Sequence, residues 1–218
     1  MDRTAVITAG PTRSRLDAVR FIMNTSSGAL GRVLAEEGLL RGYDVHHLHG
    51  PFSLLPRLDR RMSGRLLATE ISWIDELLPA LRTTGMAINP TVIFHAMAVL
   101  DYLPDTSSLT KRPSGTSWEI SLKPNRKIID LLPEIFPGST LIGFKLETRI
   151  SQECLVERAG KLARRSNAEL VVANLLEWVD GDSYRCILVD KDDNIIESIR
   201  GREELSRFLW NFIESFRT

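Results

Sequence analysis

Two cysteines, Cys154 and Cys186, are all that 218 residues contain. Their spacing suits neither a disulfide framework nor a metal cluster, so ordinary reduced thiols are expected. A surplus of charge is missing as well: 28 Lys and Arg face 28 Asp and Glu. Broad electrostatic attraction to nucleic acid is therefore not expected, and any anion site must be local. No apolar run approaches the ~20 residues of a membrane span. The N-terminus runs straight into a strand pattern with no signal-like segment, so a cytoplasmic protein without membrane partners is expected. The GxGxxG fingerprint of dinucleotide folds is absent, and so is the Gly-Lys-Ser/Thr pair of P-loops. With no Tyr-xxx-Lys pair in a suitable helix, an NAD(P)-type Rossmann oxidoreductase is a rival reading with little support.

Hydrophobic residues make up 43%, enough for a sizeable core. Ala5–Ala9 is a short apolar run ended by Gly10-Pro11, the pattern of a central parallel strand. A long loop follows, and from Leu30 apolar residues recur at helical spacing. Gly42 is placed to end that helix. Strands are predicted at Val45–Leu48, Leu66–Ile71, Thr91–Val99, Trp118–Leu122, Thr140–Leu146 and Leu170–Ala173. Helices are predicted at Trp73–Leu81, Arg126–Phe136 and Gln152–Arg165. Tyr184–Val189 and Ile195–Ser198 flank a turn and read as a hairpin, and Glu203–Phe216 as a closing amphipathic helix. The polar stretch Asp101–Ser117 reads as a long flexible loop. The alternation implies one α/β domain over residues 1–218: a Rossmann-like, mostly parallel doubly wound sheet, with a C-terminal β-hairpin and closing helix.

Chemistry concentrates at the strand ends. Asn24-Thr25-Ser26-Ser27-Gly28 leads small and hydroxyl residues into a helix N-terminus, where unpaired amides and the dipole favour phosphate. Ser26 or Ser27 serves equally well as a simple helix cap. Asp101 closes the apolar run around His95 and suits a ribose hydroxyl or Mg²⁺, whereas His95 itself reads as a core histidine. Lys111 in the long loop suits developing phosphoryl charge or is a solvated surface cation. Phe144 and Lys145 suit a base and a phosphate, or Lys145 forms a surface pair with Glu147. Lys123, Asn125, Lys127 and Lys161 are further polar groups near predicted loop or helix ends. Of His46, His47 and His49, only the last two share a strand face, and no metal site is assigned.

Together ITAGPTR, VRFIMNTSSGALG, FHAMAVLDYLP, Lys111, LIGFKLET and LVVANLLE resemble the phosphopantothenoylcysteine synthetases of coenzyme A biosynthesis, over essentially the whole chain. The resemblance implies a modified doubly wound fold and a homodimer. It implies a ligase that joins 4'-phosphopantothenate to L-cysteine through an acyl-nucleotidylate, with pyrophosphate and a nucleoside monophosphate released. It assigns Asn24 and Lys111 to catalysis, Asn24 also to acyl binding and Lys111 through the nucleotide phosphates, and Arg20 to the same substrate as Asn24. Gly10, Thr12, Ser26, Ser27, Gly28, Ala96, Met97, Asp101, Lys123, Asn125, Lys127, Phe144, Lys145 and Lys161 form the implied nucleotide-binding set, with Mg²⁺ carried on the phosphates. The lysine-rich run of many bacterial members is here Lys111-Arg112-Pro113-Ser114. Lys145-Leu146 and Ala173-Asn174-Leu175 are closer to stand-alone and eukaryotic-type members, so CTP and ATP both remain open. The resemblance lacks the flavoprotein decarboxylase half, so no FMN is expected. A divergent, non-catalytic nucleotide-binding relative is the other reading.

Overall fold

The structure, a computed structural model, describes residues 3–180 and 183–216. The elements in chain order are β1 (Thr4–Ala9), β2 (Arg13–Arg15), β3 (Phe21–Met23), α1 (Ala29–Leu40), β4 (Asp44–His49) and β5 (Leu66–Glu70). Next come α2 (Ile74–Ala87), β6 (Val92–His95), β7 (Tyr102–Pro104), β8 (Leu122–Pro124), α3 (Leu132–Ile135) and β9 (Thr140–Glu147). The chain closes with α4 (Gln152–Ser166), β10 (Leu170–Leu175), β11 (Val179–Asp180), β12 (Ser183–Val189), β13 (Ile195–Arg200) and α5 (Arg202–Ser215). The main sheet runs β11-β12-β10-β9-β6-β1-β4-β5, with β13 paired on β12. Six of these strands, β5-β4-β1-β6-β9-β10, are mutually parallel. Numbered along the chain, their spatial order is 3-2-1-4-5-6, the dinucleotide-fold order that reverses direction between β1 and β6.

Strand alternation divides the core in two. Ala5 and Ile7 of β1 face Leu34 and Leu39 of α1 and Leu209, Trp210 and Ile213 of α5. Val6 faces the opposite side, with Leu77 and Leu81 of α2 and Leu155 and Ala159 of α4. Trp210 is the largest fully buried side chain and anchors the α1/α5 layer. Its ring packs on Tyr43 at 4.5 Å and Phe94 at 5.1 Å, and Nε1 donates to the Leu34 carbonyl at 2.9 Å. Gly38 makes room for it, since a Cβ there would lie 2.4 Å from the indole. No described helix is long and apolar enough to cross a membrane.

Several boundaries depart from the sequence expectation. The predicted strand at Thr91–Val99 ends at His95. Beyond it the chain continues along the β1 loop, through Ala96 N–H to Thr8 O at 3.0 Å and Ala98 N–H to Gly10 O at 2.8 Å. Trp118–Leu122 is not a strand; pairing begins at Leu122, where β8 meets β7 in antiparallel register. The predicted loop from Asp101 therefore holds a strand of its own. Arg126–Phe136 is not one helix but a 3₁₀ turn at Ile128–Leu131 followed by α3. Pro133, which has no N–H to donate, sits at the start of the new turn, where proline is tolerated. The α2 helix continues to Ala87 rather than ending at Leu81. The β2–β3 hairpin had no counterpart in the sequence reading.

Two substitutions test this packing. Trp210→Ala lowers unfolding stability by about 3–5 kcal/mol, read as a fall in the urea midpoint; a shift under ~1 kcal/mol refutes the anchoring role. Gly10 sits at φ 75, and a Cβ there would lie 1.8 Å from Ser53 Oγ. Gly10→Ala therefore costs about 1–3 kcal/mol for the clash in addition to the cost of its left-handed backbone. Adding Ser53→Gly to that chain recovers the clash but not the backbone penalty of about 1–2 kcal/mol. An unchanged midpoint in the single variant, or no recovery in the double, contradicts the close approach.

Candidate functional site

The site forms at the carboxyl edge where the strand order reverses, between β1 and β6. Ligands of open α/β sheets bind at such a point, because the connections there diverge to opposite faces and leave a crevice. Pro11 bridges to Ala98 in parallel register. The Ala98 carbonyl accepts the Thr12 N–H at 3.1 Å and Asn24 Nδ2 at 3.1 Å, with the Thr12 hydroxyl a longer 3.4 Å away. Thr12 Oγ1 in turn accepts the Leu100 N–H at 2.9 Å. Gly10, Thr12, Asn24, Ala96 and Met97 are thereby gathered on one backbone knot. The half-buried Asn24 is oriented by its amide nitrogen, which leaves the carbonyl end of the carboxamide for a ligand.

Five residues after Asn24 the chain enters α1 at Ala29. Neither Ser26 nor Ser27 is its N-cap; Gly28 takes that place at φ 70, with no side-chain cap bond. Ser27 Oγ accepts only the Ala29 N–H, at 3.4 Å. The first turn of α1 contains no acidic residue, so the dipole's positive end faces no internal carboxylate. The loop after β4 folds over this turn. Leu54 N–H donates to Ser27 O at 2.8 Å, and Ser53 Oγ donates to Gly50 O at 2.7 Å. Phe52 in that loop adopts φ 60, a sparsely populated region for a bulky residue. The tip of β4 carries His49, not the acidic residue that holds a ribose in dinucleotide folds.

Asp101 lies exposed at the rim, ion-paired with Lys127. Asn125 Nδ2 donates to Leu100 O at 2.9 Å and its N–H to Asp101 O at 2.8 Å, so this segment borders the same knot. Lys123 is 3.4 Å from Asp105. Phe144, on β9, is half-buried against the α1/α5 layer. Lys145 pairs with Glu147 at 3.0 Å, and Glu147 also with Arg158 at 2.7 Å, which is the surface-pair alternative. Lys161 is not brought to the site. It is exposed on α4, nine residues after Gln152, and a helix of that length carries it about 14 Å back along the sheet.

Arg20 and Lys111 belong to a neighbouring cluster at the tip of the β2–β3 hairpin, which the sequence reading missed. Asp17, only 2% exposed, accepts the N–H groups of Val19 and Arg20 at 2.8 Å each and that of Arg112 at 3.1 Å, as well as Arg20 Nη1. Burial raises the carboxyl pKa, but those donors outweigh it and hold it at about 2. The bonds are therefore fully available above the ordinary carboxyl pKa near 4 and are lost as pH falls through about 2. The two local bonds form an Asx turn, but the bond that joins it to the long loop comes from a residue 95 positions away, which no local pattern marks.

The histidines read as structural. His95 is buried, with Nδ1 2.8 Å from Thr8 Oγ1, and burial lowers its pKa to about 4. His47 and His49 stack at 5.8 Å, and burial together with His49 lowers the pKa of His47 to about 4. Among the described residues, no three His, Cys, Asp or Glu side chains form a group that could hold a metal ion.

Similar proteins bear on the whole chain. The family model described as the DNA/pantothenate metabolism flavoprotein C-terminal domain matches residues 1–216. The coenzyme A biosynthesis bifunctional protein CoaBC of Thermococcus kodakarensis is 32% identical over 212 residues, covering 97% of this chain and 51% of that protein. The human phosphopantothenate–cysteine ligase is 26% identical over 228 residues, covering 80% of this chain and 73% of that one. The crystal structure of the DNA/pantothenate metabolism flavoprotein from Streptococcus pneumoniae superposes with a TM-score of 0.86 at 28% identity, covering 98% and 99% of the two chains. The chain thus spans about half the length of the CoaBC protein it matches. With the matched family model covering nearly all of its length, the chain belongs to the DNA/pantothenate metabolism flavoprotein C-terminal domain family.

Proposed function

We propose that this chain is a phosphopantothenate–cysteine ligase. The observation that carries the proposal is the knot at Ala98, which holds the Asn24 carboxamide beside the uncapped first turn of α1 at the strand-order reversal. That geometry offers neighbouring places for an acyl group and for phosphate. The named relatives, a CoaBC protein and a human phosphopantothenate–cysteine ligase, support the same reaction.

In this reading the substrate carboxylate attacks the α-phosphorus of a nucleoside triphosphate, and pyrophosphate leaves. The cysteine amine then attacks the acyl carbon, the nucleoside monophosphate leaves, and the amine proton passes to solvent. Mg²⁺ arrives as the counter-ion of the triphosphate. Gly10, Ser26, Ser27, Gly28, Ala96 and Met97 border the nucleotide, with Asp101, Asn125 and Lys127 at the rim and Phe144 toward the base. Asn24 aligns the acyl carbonyl during amine attack. Lys111 meets the phosphates. CTP and ATP are the two candidate nucleotides, and the active form is a homodimer.

The test mixes the full chain with 4'-phosphopantothenate, cysteine, Mg²⁺ and either CTP or ATP. Pyrophosphate release that requires 4'-phosphopantothenate is expected with one of the two; none with either refutes the ligase. Asn24→Ala is expected to keep pyrophosphate release while amide formation falls about a hundredfold and the acyl-nucleotidylate accumulates. If pyrophosphate release is lost instead, Asn24 serves the nucleotide and not the acyl group.

A further inference from the structure

We infer that Asp17 is a positioning residue that joins the Lys111 loop to the Arg20 hairpin tip, so that the groups proposed for the two substrates are held as one unit. Only the kinetic part rests on the ligase reading.

The junction is closed from both sides of one residue. The Arg112 N–H donates to Asp17 Oδ2 at 3.1 Å, and the Arg112 carbonyl accepts Arg20 Nη1 at 3.2 Å. Arg20 Nη1 also meets Asp17 Oδ2, which completes a ring through Asp17, Arg20 and Arg112. A second strap is the Ser108 N–H donated to Leu16 O at 3.2 Å. Trp118 adds a stacking post, with the Arg20 guanidinium 5.5 Å and the Arg112 guanidinium 5.2 Å from its ring. Such contacts are strongest where water is partly excluded.

The consequence follows from chain geometry. Lys111 precedes Arg112 directly, so fixing both backbone groups of Arg112 fixes the Lys111 Cα to within one peptide unit, ~3.8 Å. The hairpin that ends in Asp17 and Arg20 is rooted at Thr12 and Asn24 on the Ala98 knot. A loop that would otherwise cost entropy to order at each turnover is thus held before ligand arrives. A cavity of about 470 Å³ lies beside the junction, lined by Asp17, Thr110, Lys111, Arg112, Trp118 and Ser121 among others, and leaves room for the lysine to swing. An aspartate is needed here because one group must accept four N–H donors at once. The carboxamide of Asn has one acceptor oxygen and presents donors where acceptors are required.

The first arm is trypsin cleavage of the full chain after Lys111, the Arg112–Pro113 bond being resistant. Asp17→Asn is expected to speed that cut roughly tenfold, with cleavage outside this loop and the hairpin tip at residues 15–20 unchanged; an unchanged rate after Lys111 overturns the proposal. The second arm is pyrophosphate release. Asp17→Asn is expected to raise the KM for 4'-phosphopantothenate and to slow the nucleotide step together. Added to Lys111→Ala, it is expected to slow the nucleotide step by less than about twofold more, because the lysine it positions is already gone, while the rise in KM for 4'-phosphopantothenate through Arg20 persists. Fully multiplicative losses in the nucleotide step overturn the coupling. If the unaltered chain releases no pyrophosphate, the ligase reading fails while the cleavage arm still judges the junction. If Asp17→Asn does not fold, amide exchange on the unaltered chain decides. The Arg112 amide is expected to exchange at least about tenfold more slowly than those of Lys111 and Ser114, and equal rates overturn the proposal.

Discussion

At Ala98 a single carbonyl oxygen accepts the Thr12 N–H and the Asn24 carboxamide, and the rest of the site depends on that sharing. The two segments it joins lie 74 residues apart. They meet because β1 and β6 are neighbours in the sheet while their following segments leave toward different connections. The Ala98 carbonyl lies past the end of β6, where only an isolated bridge to Pro11 continues the pairing, and Asn24 adds a second donor to it. Thr12 and Asn24 donate from opposite ends of the β2–β3 hairpin and clamp its base. The hairpin then carries Asp17 and Arg20 outward to the long loop. One shared carbonyl thereby organises an acyl-binding candidate, a phosphate-binding helix start and a loop lysine.

Close packing supplies the second constraint. Gly31 lets α1 approach β1 so tightly that a Cβ would lie 2.2 Å from Ala9 Cβ. Ser53 fills the space over Gly10 and Gly28, and Gly50 lies against the Pro11 carbonyl. The glycines therefore serve approach between backbones more than chain flexibility. In most phosphate-binding loops glycine makes room for the ligand itself. Here part of that room is occupied by the loop after β4, which rests on Ser27 through the Leu54 amide. On the far face Trp210 holds α5 to α1 and keeps the helix that presents those amides in place.

Much of the sheet was legible because its strands are buried on both faces and read as continuous apolar runs between helical patterns. β1 and β10 follow from that alone, and the β12–β13 hairpin from the turn between its strands. The misses share a cause. Val99 and Leu100 are as apolar as the strand before them, yet they turn away to pack along the β1 loop, and no local pattern records that. Arg13–Arg15 and Phe21–Met23 are three-residue strands, too short for alternation to register. Trp118 was expected to open a strand, but Arg20 from the hairpin tip and Arg112 from its own loop claim it. Lys161 looked available because a basic helical turn gives no hint of which edge of the sheet it faces.

Local chemistry by itself determined the main strands and helices and which residue types could meet an anion: burial on both faces, helix periodicity, and small residues ahead of α1. Those properties are set by each segment's own side chains and their spacing. Tertiary structure alone decided which strand ends become neighbours, which polar groups are satisfied internally, and which remain for a ligand. It paired Lys145 with Glu147 and Lys127 with Asp101, withdrew Lys161, and buried Asp17 under four N–H donors. Hydrogen-bond satisfaction across such distances depends on strand order, which no segment specifies on its own.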